Sequence, residues 1–372
     1  MLIKDFIKII HQLAPPDLAA EWDNPGLQVG SLKGEVRRVG LCLDATVETV
    51  ASARANGCDL LLTHHPLIFH PLKNMITDQG PAAVVKAALA GDLAVFSAHT
   101  NWDSATLGVA SALAELLELS QSRPLAPAAR DFYKLVVFVP AGYENRIRQA
   151  LFEVGVGKIG EYDRCWFASS GEGGFRVPTE ASPFLGRPGM EARTRESRLE
   201  VILPPALAEA AVQAVRQRHP YQEPAFELQP VKNYGPNQGS GLLGQWDPPR
   251  DLVAELEGRL EFPAFKWAGR RPGLISRVAL LPGSGGDFSR LAHQQGAQVL
   301  ITGDVAYHQA LEAADLGLTL VDLGHYETEW PGVIRLERLL KQEFSHRDLK
   351  MECLVLEQSP VWHYQLGARE RL

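Results

Sequence analysis

Two adjacent histidines, His64 and His65, close the apolar run Leu60-Leu61-Leu62-Thr63 and stand directly before Pro66. Neutral imidazole is a common metal ligand and a proton carrier near neutral pH. Side chains alternate faces along an extended chain, so neighbours cannot both aim at one point. Pro66 disfavours a helix at His65. The pattern describes a strand that ends in two imidazoles diverging towards two targets, and two metal ions are the economical explanation. A pair of core histidines held by backbone carbonyls is the alternative these residues alone leave open.

Three more candidates stand just beyond apolar runs: Asp103 after Leu93–Ser97, and His325 and Glu329 after Leu318–Val321. Imidazole with carboxylate suits zinc, with manganese, iron or nickel as alternatives, and no cysteine is placed for a thiolate site. A carboxylate has two oxygens, so Glu329 can bridge two divalent cations at the ~3.5–4 Å spacing a two-metal site needs. His325 and Glu329 have helical i,i+4 spacing. Pro331 is expected in the first turn of the following helix, which places the pair in the loop entering it. His99 precedes Asp103 and is read as the candidate catalytic side chain, orienting the aspartate or shuttling protons. His70 and His308 are expected on the surface or in the core.

Other motifs weigh less. Gly155, Gly157 and Gly160 have GxGxxG spacing but follow a helix, where a dinucleotide site needs a strand. Gly283-Ser284-Gly285-Gly286 lies between a strand and a helix, where amides could hold an anion; a plain tight turn is the favoured reading. Glu21-Trp22-Asp23-Asn24-Pro25-Gly26 reads as a polar turn with Trp22 packed beneath it, and a substrate-facing loop is the weaker alternative.

The elements that position these residues repeat. Val39–Leu43 reads as a strand ending at Asp44, followed by a helix through Val47 to Ala55 and the Leu60–Thr63 strand. Val278–Leu281, a helix, and Val299–Thr302 ending at Gly303-Asp304 follow the same order. One constant offset of 239 carries Val39, Gly57 and Thr63 onto Val278, Gly296 and Thr302. Both halves then carry His-x-x-x-acid after a further strand. This is an internal duplication of two βαβ-type halves.

Between them, strands at 135–139, 165–168, 199–203 and 225–228 and helices at 144–154 and 205–217 give the order βαββαβ, a ferredoxin-like arrangement. Gly235–Gly241 reads as the exit linker. The expected fold class is α/β: one split metal-binding domain, 1–126 and 236–372, with an α+β ferredoxin-like domain inserted at 127–235.

The 372 residues carry a formal net charge of -7 without a basic stripe, which argues against a nucleic-acid partner. No apolar run approaches the ~20 residues of a membrane helix, and residues 1–6 start an amphipathic helix rather than a signal peptide. The four cysteines are scattered, which suits a reducing, cytoplasmic setting.

Taken together, Glu21–Gly30, Thr63–Pro66, Ser97–Asp103, Ile301–Asp304 and Gly324–Glu329 resemble the Nif-three-like family, whose members are often labelled type 2 GTP cyclohydrolase I homologues. The middle segment, through Gly157-Lys158-Ile159-Gly160-Glu161-Tyr162 and His219-Pro220-Tyr221-Gln222-Glu223-Pro224, is similar to the inserted domain of its longer members. That domain in turn resembles trimeric signalling folds of the nitrogen-regulatory and CutA type. Trp102 stands where the family more often has leucine, and Gln222 where it has glutamate. The resemblance implies a dinuclear site of His64, His65, Asp103, His325 and Glu329, and a toroidal homohexamer. The expected function is a metal-dependent, GTP cyclohydrolase-like hydrolase acting on a nucleotide or related small molecule. A metal-loaded regulatory protein whose insert senses a ligand or partner is the alternative.

Overall fold

The computed structural model describes residues 1–160, 162–180, 183–260, 264–270, 273–358 and 361–362. Glu161, in one of the motifs above, lies outside them. The chain forms two compact units: Met1–Ala128 together with Asn237–Leu372, and Ala129–Pro236.

The first half of the larger unit begins with α1 (Ile3–Leu13), β1 (Gly26–Val29), β2 (Arg38–Cys42) and α2 (Val47–Ala55). It continues with β3 (Leu60–Thr63), α3 (Gly80–Ala90), β4 (Ala94–Ser97), α4 (Thr100–Asp103) and α5 (Val109–Leu116). The chain passes into the smaller unit within β5 (Ser120–Pro140). There it forms α6 (Glu144–Glu153), β6 (Phe167–Arg176), β7 (Glu191–Leu203) and α7 (Ala208–Arg218), and it returns within β8 (Phe226–Asp251). The second half holds α8 (Leu252–Arg259), β9 (Lys266–Ala268), β10 (Leu274–Ser284), α9 (Ser289–Gln294) and β11 (Val299–Gly303). Then come α10 (Tyr307–Asp315), β12 (Thr319–Asp322), α11 (His325–His346) and β13 (Glu352–Val355).

The first half builds a sheet in the order β1-β4-β3-β2-β13, parallel except for β1. Such strands are covered on both faces and so read as continuous apolar runs. Leu60 and Leu62 pack against Phe6 and Ile10 of α1 and Leu336 and Leu340 of α11. Leu61, on the other face, packs with Val50 of α2 and Val84 and Ala88 of α3. The second half repeats this in the order β8-β10-β11-β12-β9. Val299 and Ile301 face Leu113 of α5 and Leu256 of α8, while Leu300 faces Ala292 of α9 and Ala313 of α10. The repeat is in register: Val39 pairs with Leu60 and Val278 with Val299, both related by the offset of 239.

The register corrects one part of that reading. Thr63 pairs with Ser97 and Thr302 with Asp322, which puts His99 two residues past its strand and His325 three. The two His-x-x-x-acid stretches are one residue out of step. Ladder pairing, not the look of the motif, sets equivalence.

In the smaller unit the strands lie in the order β6-β7-β5-β8 with α6 and α7 packed on them, the ferredoxin-like order. Leu135, Val137, Leu199 and Val201 form its core with Ile147, Leu151 and Val215. The strand read at 165–168 starts later and runs on to Arg176, paired along its length with β7. This hairpin, glycine-rich on one strand and charged on the other, has exposed positions on both faces, so no apolar alternation marks it. The glycine-rich Gly235–Gly241 is likewise strand, within β8, and not a linker. Gly239 and Gly241 take positive φ there, and such bends leave the strand unbroken.

Candidate metal centre

β3 delivers the histidine pair. His64 and His65 stand in a bend just past β3, where their amides donate to the carbonyls of Cys42 and Leu43 at 3.2 and 3.0 Å. Their ring centroids are 5.1 Å apart, so the two rings lie side by side and do not diverge as strand alternation predicts. Each imidazole is then fixed through its Nδ1. His64 Nδ1–H donates to the Ala98 carbonyl at 2.9 Å, and His65 Nδ1 is 2.8 Å from Asp44 Oδ1. His325 Nδ1 is 2.8 Å from Asp304 Oδ2, and His99 Nδ1 is 2.8 Å from Asp23 Oδ1. A carbonyl or carboxylate only accepts, so each Nδ1 carries a proton, and a ring that gives up its other proton to a metal would present its Nε2 lone pair inward.

Those lone pairs converge on Glu329. Its Oε2 is 3.0 Å from His65 Nε2 and 3.1 Å from His325 Nε2, and these two nitrogens are 3.2 Å from each other. Its Oε1 is 3.7 Å from His64 Nε2, which lies 3.5 Å from Asp103 Oδ1. One carboxylate thus faces two separate donor groups, one through each oxygen. His64 Nε2, Asp103 Oδ1 and Glu329 Oε2 are buried without a hydrogen-bond partner among the described residues. Leaving such atoms bare is costly, and a cation among them removes the cost. Ligand atoms of His65, His325 and Glu329 lie within 4.8 Å of one another, as do those of His64, His65 and His99.

Electrostatics follow from the burial. Burial alone would raise the Glu329 carboxyl, but His64, His325 and His65 hold it well below the ordinary range. Asp103 is raised, by burial first and by the Glu329 charge in addition. Burial pushes His65 and His325 down, yet the carboxylates around them win and raise them to about 10 and about 9. Without a cation the cluster holds protons in its place.

The helix that carries His325 and Glu329 differs from the sequence reading. α11 begins at His325, and Pro331 lies inside it rather than in its first turn. His325 and Glu329 are therefore one helical turn apart on one face, not in a loop. Packing holds the helix where proline would break it: Gly332 sits directly against Val109, and its carbonyl accepts from Trp102 Nε1 at 3.3 Å. Trp102 is itself fully buried.

The His99 ring is held by Asp23 and makes no hydrogen bond to the Asp103 carboxylate among those described; its Nε2 faces the cluster instead. His70 and His308 are exposed and stand apart from the cluster. In the Gly283–Gly286 turn the Gly283 and Gly285 amides are already taken, donating to Thr328 Oγ1 and Thr302 Oγ1 at 3.0 and 2.8 Å. Its role lies elsewhere: a Cβ on Gly283 would stand 2.3 Å from Glu329 Oε1. Only glycine leaves room for the carboxylate. Sequence reasoning reads Gly283 and Asp23 only as turn residues or parts of a possible anion or substrate loop, and Asp44 and Asp304 only as the ends of strands. Asp44 and Asp304 stand just beyond β2 and β11, the same kind of strand end that marked the ligands.

Fold and cluster define a duplicated α/β protein with a buried His/carboxylate group able to hold metal. The family model for Duf34/NIF3 (NGG1p interacting factor 3) matches residues 1–360, and the chain belongs to that family. It is 36% identical to a "GTP cyclohydrolase 1 type 2 homolog" of Bacillus subtilis (strain 168), over 87% of this chain and 88% of the relative. A Bacillus cereus protein related to NIF3 has a similar structure, with a TM-score of 0.83 and 33% identity over 99% of both chains. So does Staphylococcus aureus protein SA1388, with a TM-score of 0.82 and 26% identity over 98% of this chain and 99% of that one.

Proposed function

We propose that the chain is a metal-dependent hydrolase of a nucleotide or related small molecule, with two divalent ions bridged by Glu329. The observation that carries this is the pair of inward-facing donor groups that share one carboxylate. His64 and Asp103 with Glu329 Oε1 would hold one ion, and His65 and His325 with Glu329 Oε2 the other. Zinc suits this donor set, as do manganese, iron and nickel. Divalent cations held there supply Lewis-acid polarisation and an activated water at neutral pH. The chain does the rest. Asp44 and Asp304 fix the tautomer and direction of His65 and His325. Asp23 does the same for His99, leaving its Nε2 free to take or return a proton beside the cluster. A cavity of about 430 Å³ adjoins Asp44 and His65, lined also by Thr46, Asp78 and Gln79, and gives a small substrate room.

A second reading, a metal-loaded binding protein whose inserted unit senses a ligand, has one observation in its favour. The smaller unit has its own cavity of about 380 Å³, lined by Phe175, Phe184, Tyr221 and Glu196. Metal-analysed protein tested against GTP and a panel of nucleotide phosphoesters separates the two. Turnover that scales with metal content supports the hydrolase, and binding without product supports the sensor.

A further inference from the structure

Beside the cluster stands an exposed aromatic pair that the proposed chemistry does not use. Trp22 is 63% exposed and Phe69 39%. It is not packed beneath its turn. The Trp22 and Phe69 ring centroids are 5.9 Å apart, and they lie 6.0 and 6.4 Å from that of His99. His99 is in turn 5.2 Å from the His64 ring and 5.5 Å from the His65 ring. An indole left in water forgoes one of the largest hydrophobic gains available to a side chain.

The turn that carries Trp22 is nonetheless tightly fixed. The Asp23 side chain is fully buried, bonded to His99 and to the amide and hydroxyl of Thr100. Asn24 Nδ2 donates to the Ile68 carbonyl at 2.6 Å, and the Ile68 amide donates to Gln28 Oε1 at 3.2 Å. The Glu21–Gln28 stretch is thus tied to the metal-site helix on one side and to the residue before Phe69 on the other. These bonds fix the backbone on either side of the pair. The Phe69 ring is further braced by His70, whose ring centroid is 4.7 Å away, while Trp22 keeps most of its surface exposed. Phe69 also lines a cavity of about 710 Å³ that reaches Lys73 and Ile76. It shares Leu67, Gln79, Gly80 and Pro81 with the cavity at Asp44 and His65.

We infer that Trp22 and Phe69 form a stacking platform for a planar heteroaromatic ring, carried by the molecule on which the metal centre acts and set down beside His99. This rests on the hydrolase reading and names the class of its substrate. Rings inclined at 59° suit a flat π system, which can lie offset on one face and meet the other edge-on. A ringless sugar phosphate has no such face to offer.

The test is calorimetric titration of the metal-loaded protein with guanosine monophosphate, cytidine monophosphate and flavin mononucleotide. Ribose 5-phosphate serves as the ringless control. At least one ring compound is expected to saturate, with ribose 5-phosphate at least tenfold weaker. Trp22→Ala should weaken that ring compound roughly tenfold or more, while Trp22→Phe stays within about threefold because a π face remains. Metal content should be unchanged in both variants. The titration reads binding alone, so ring binding through Trp22 without turnover would sink the hydrolase reading and leave the platform standing. The platform is overturned if no ring compound binds, if ribose 5-phosphate binds as tightly, or if Trp22→Ala binds like the wild type. A change of molar mass in Trp22→Ala by light scattering would also overturn it, by making Trp22 a contact between copies.

Discussion

Replacing Gly283 with alanine tests whether the Glu329 carboxylate must sit where the structure puts it. Gly283 has φ +70, a left-handed conformation that costs an alanine about 1 kcal/mol. The new Cβ would lie 2.3 Å from Glu329 Oε1 and 3.3 Å from its Cδ, about 1 Å closer than contact allows. Neither side can retreat easily. The Gly283 amide donates to Thr328 Oγ1 at 3.0 Å and its carbonyl accepts from Thr302 Oγ1 at 3.2 Å, both buried. Glu329 is 4% exposed, with its other oxygen between His65 and His325. The carboxylate must leave its position. The expected result is a loss of roughly 1–3 kcal/mol in the metal-free protein and a fall in metal affinity of about a hundredfold or more. Gly317→Ala is the control, since φ there is +76 with nothing within 4 Å of the added Cβ. It should cost about 1 kcal/mol and leave metal uptake unchanged. The assay pairs urea unfolding of chelator-treated protein with competitive zinc titration. Wild-type zinc affinity in Gly283→Ala would refute the reasoning.

Asp44→Asn and Asp304→Asn should each weaken one ion by about 10–100-fold, because an imidazole then loses the carboxylate that orients it; competitive titration of each variant reads this. His64→Ala should take one ion from the pair and leave the second measurable by elemental analysis. Asp23 is held at about 2, below its ordinary 3.8, because His99 and Thr100 outweigh its burial. Its folded pKa is depressed, so its contribution of about 2 kcal/mol is complete above about pH 4 and is lost as pH falls towards 2. Asp23→Asn should therefore be less stable than the wild type in urea at pH 6, with the gap closing below about pH 3.

Much of this was legible in the sequence because parallel strands buried on both faces leave an unmistakable trace. Leu60–Thr63 and Val299–Thr302 are such strands, and polar residues directly after them fall at the sheet's carboxyl edge. That is why His64, His65, Asp103, His325 and Glu329 could be named together. The outer ring of the site was not legible. Asp44, Asp304 and Asp23 matter through the hydrogen bond each makes to one histidine ring, and an aspartate at a strand end also reads as an ordinary turn residue. Gly283 matters through an atom it lacks. Pro331 misled because the rule for proline at helix starts describes an isolated helix, whereas α11 is held by Val109, Trp102 and the core around Leu336 and Leu340. The long β6–β7 hairpin was missed for the opposite reason, since its outer part buries too little apolar surface to show a period.

The most direct test of a metal pair bridged by Glu329 is the number of ions bound per chain in the wild type and in Glu329→Ala. Both are stripped with chelator, titrated with zinc or manganese, and counted by elemental analysis after desalting. Two cations close together repel strongly in a partly dry site, and the shared carboxylate offsets this for both. The wild type should retain two ions per chain and Glu329→Ala fewer than one, with its far-ultraviolet circular dichroism unchanged. Two tightly held ions in Glu329→Ala, or a single ion in the wild type, would contradict the bridge.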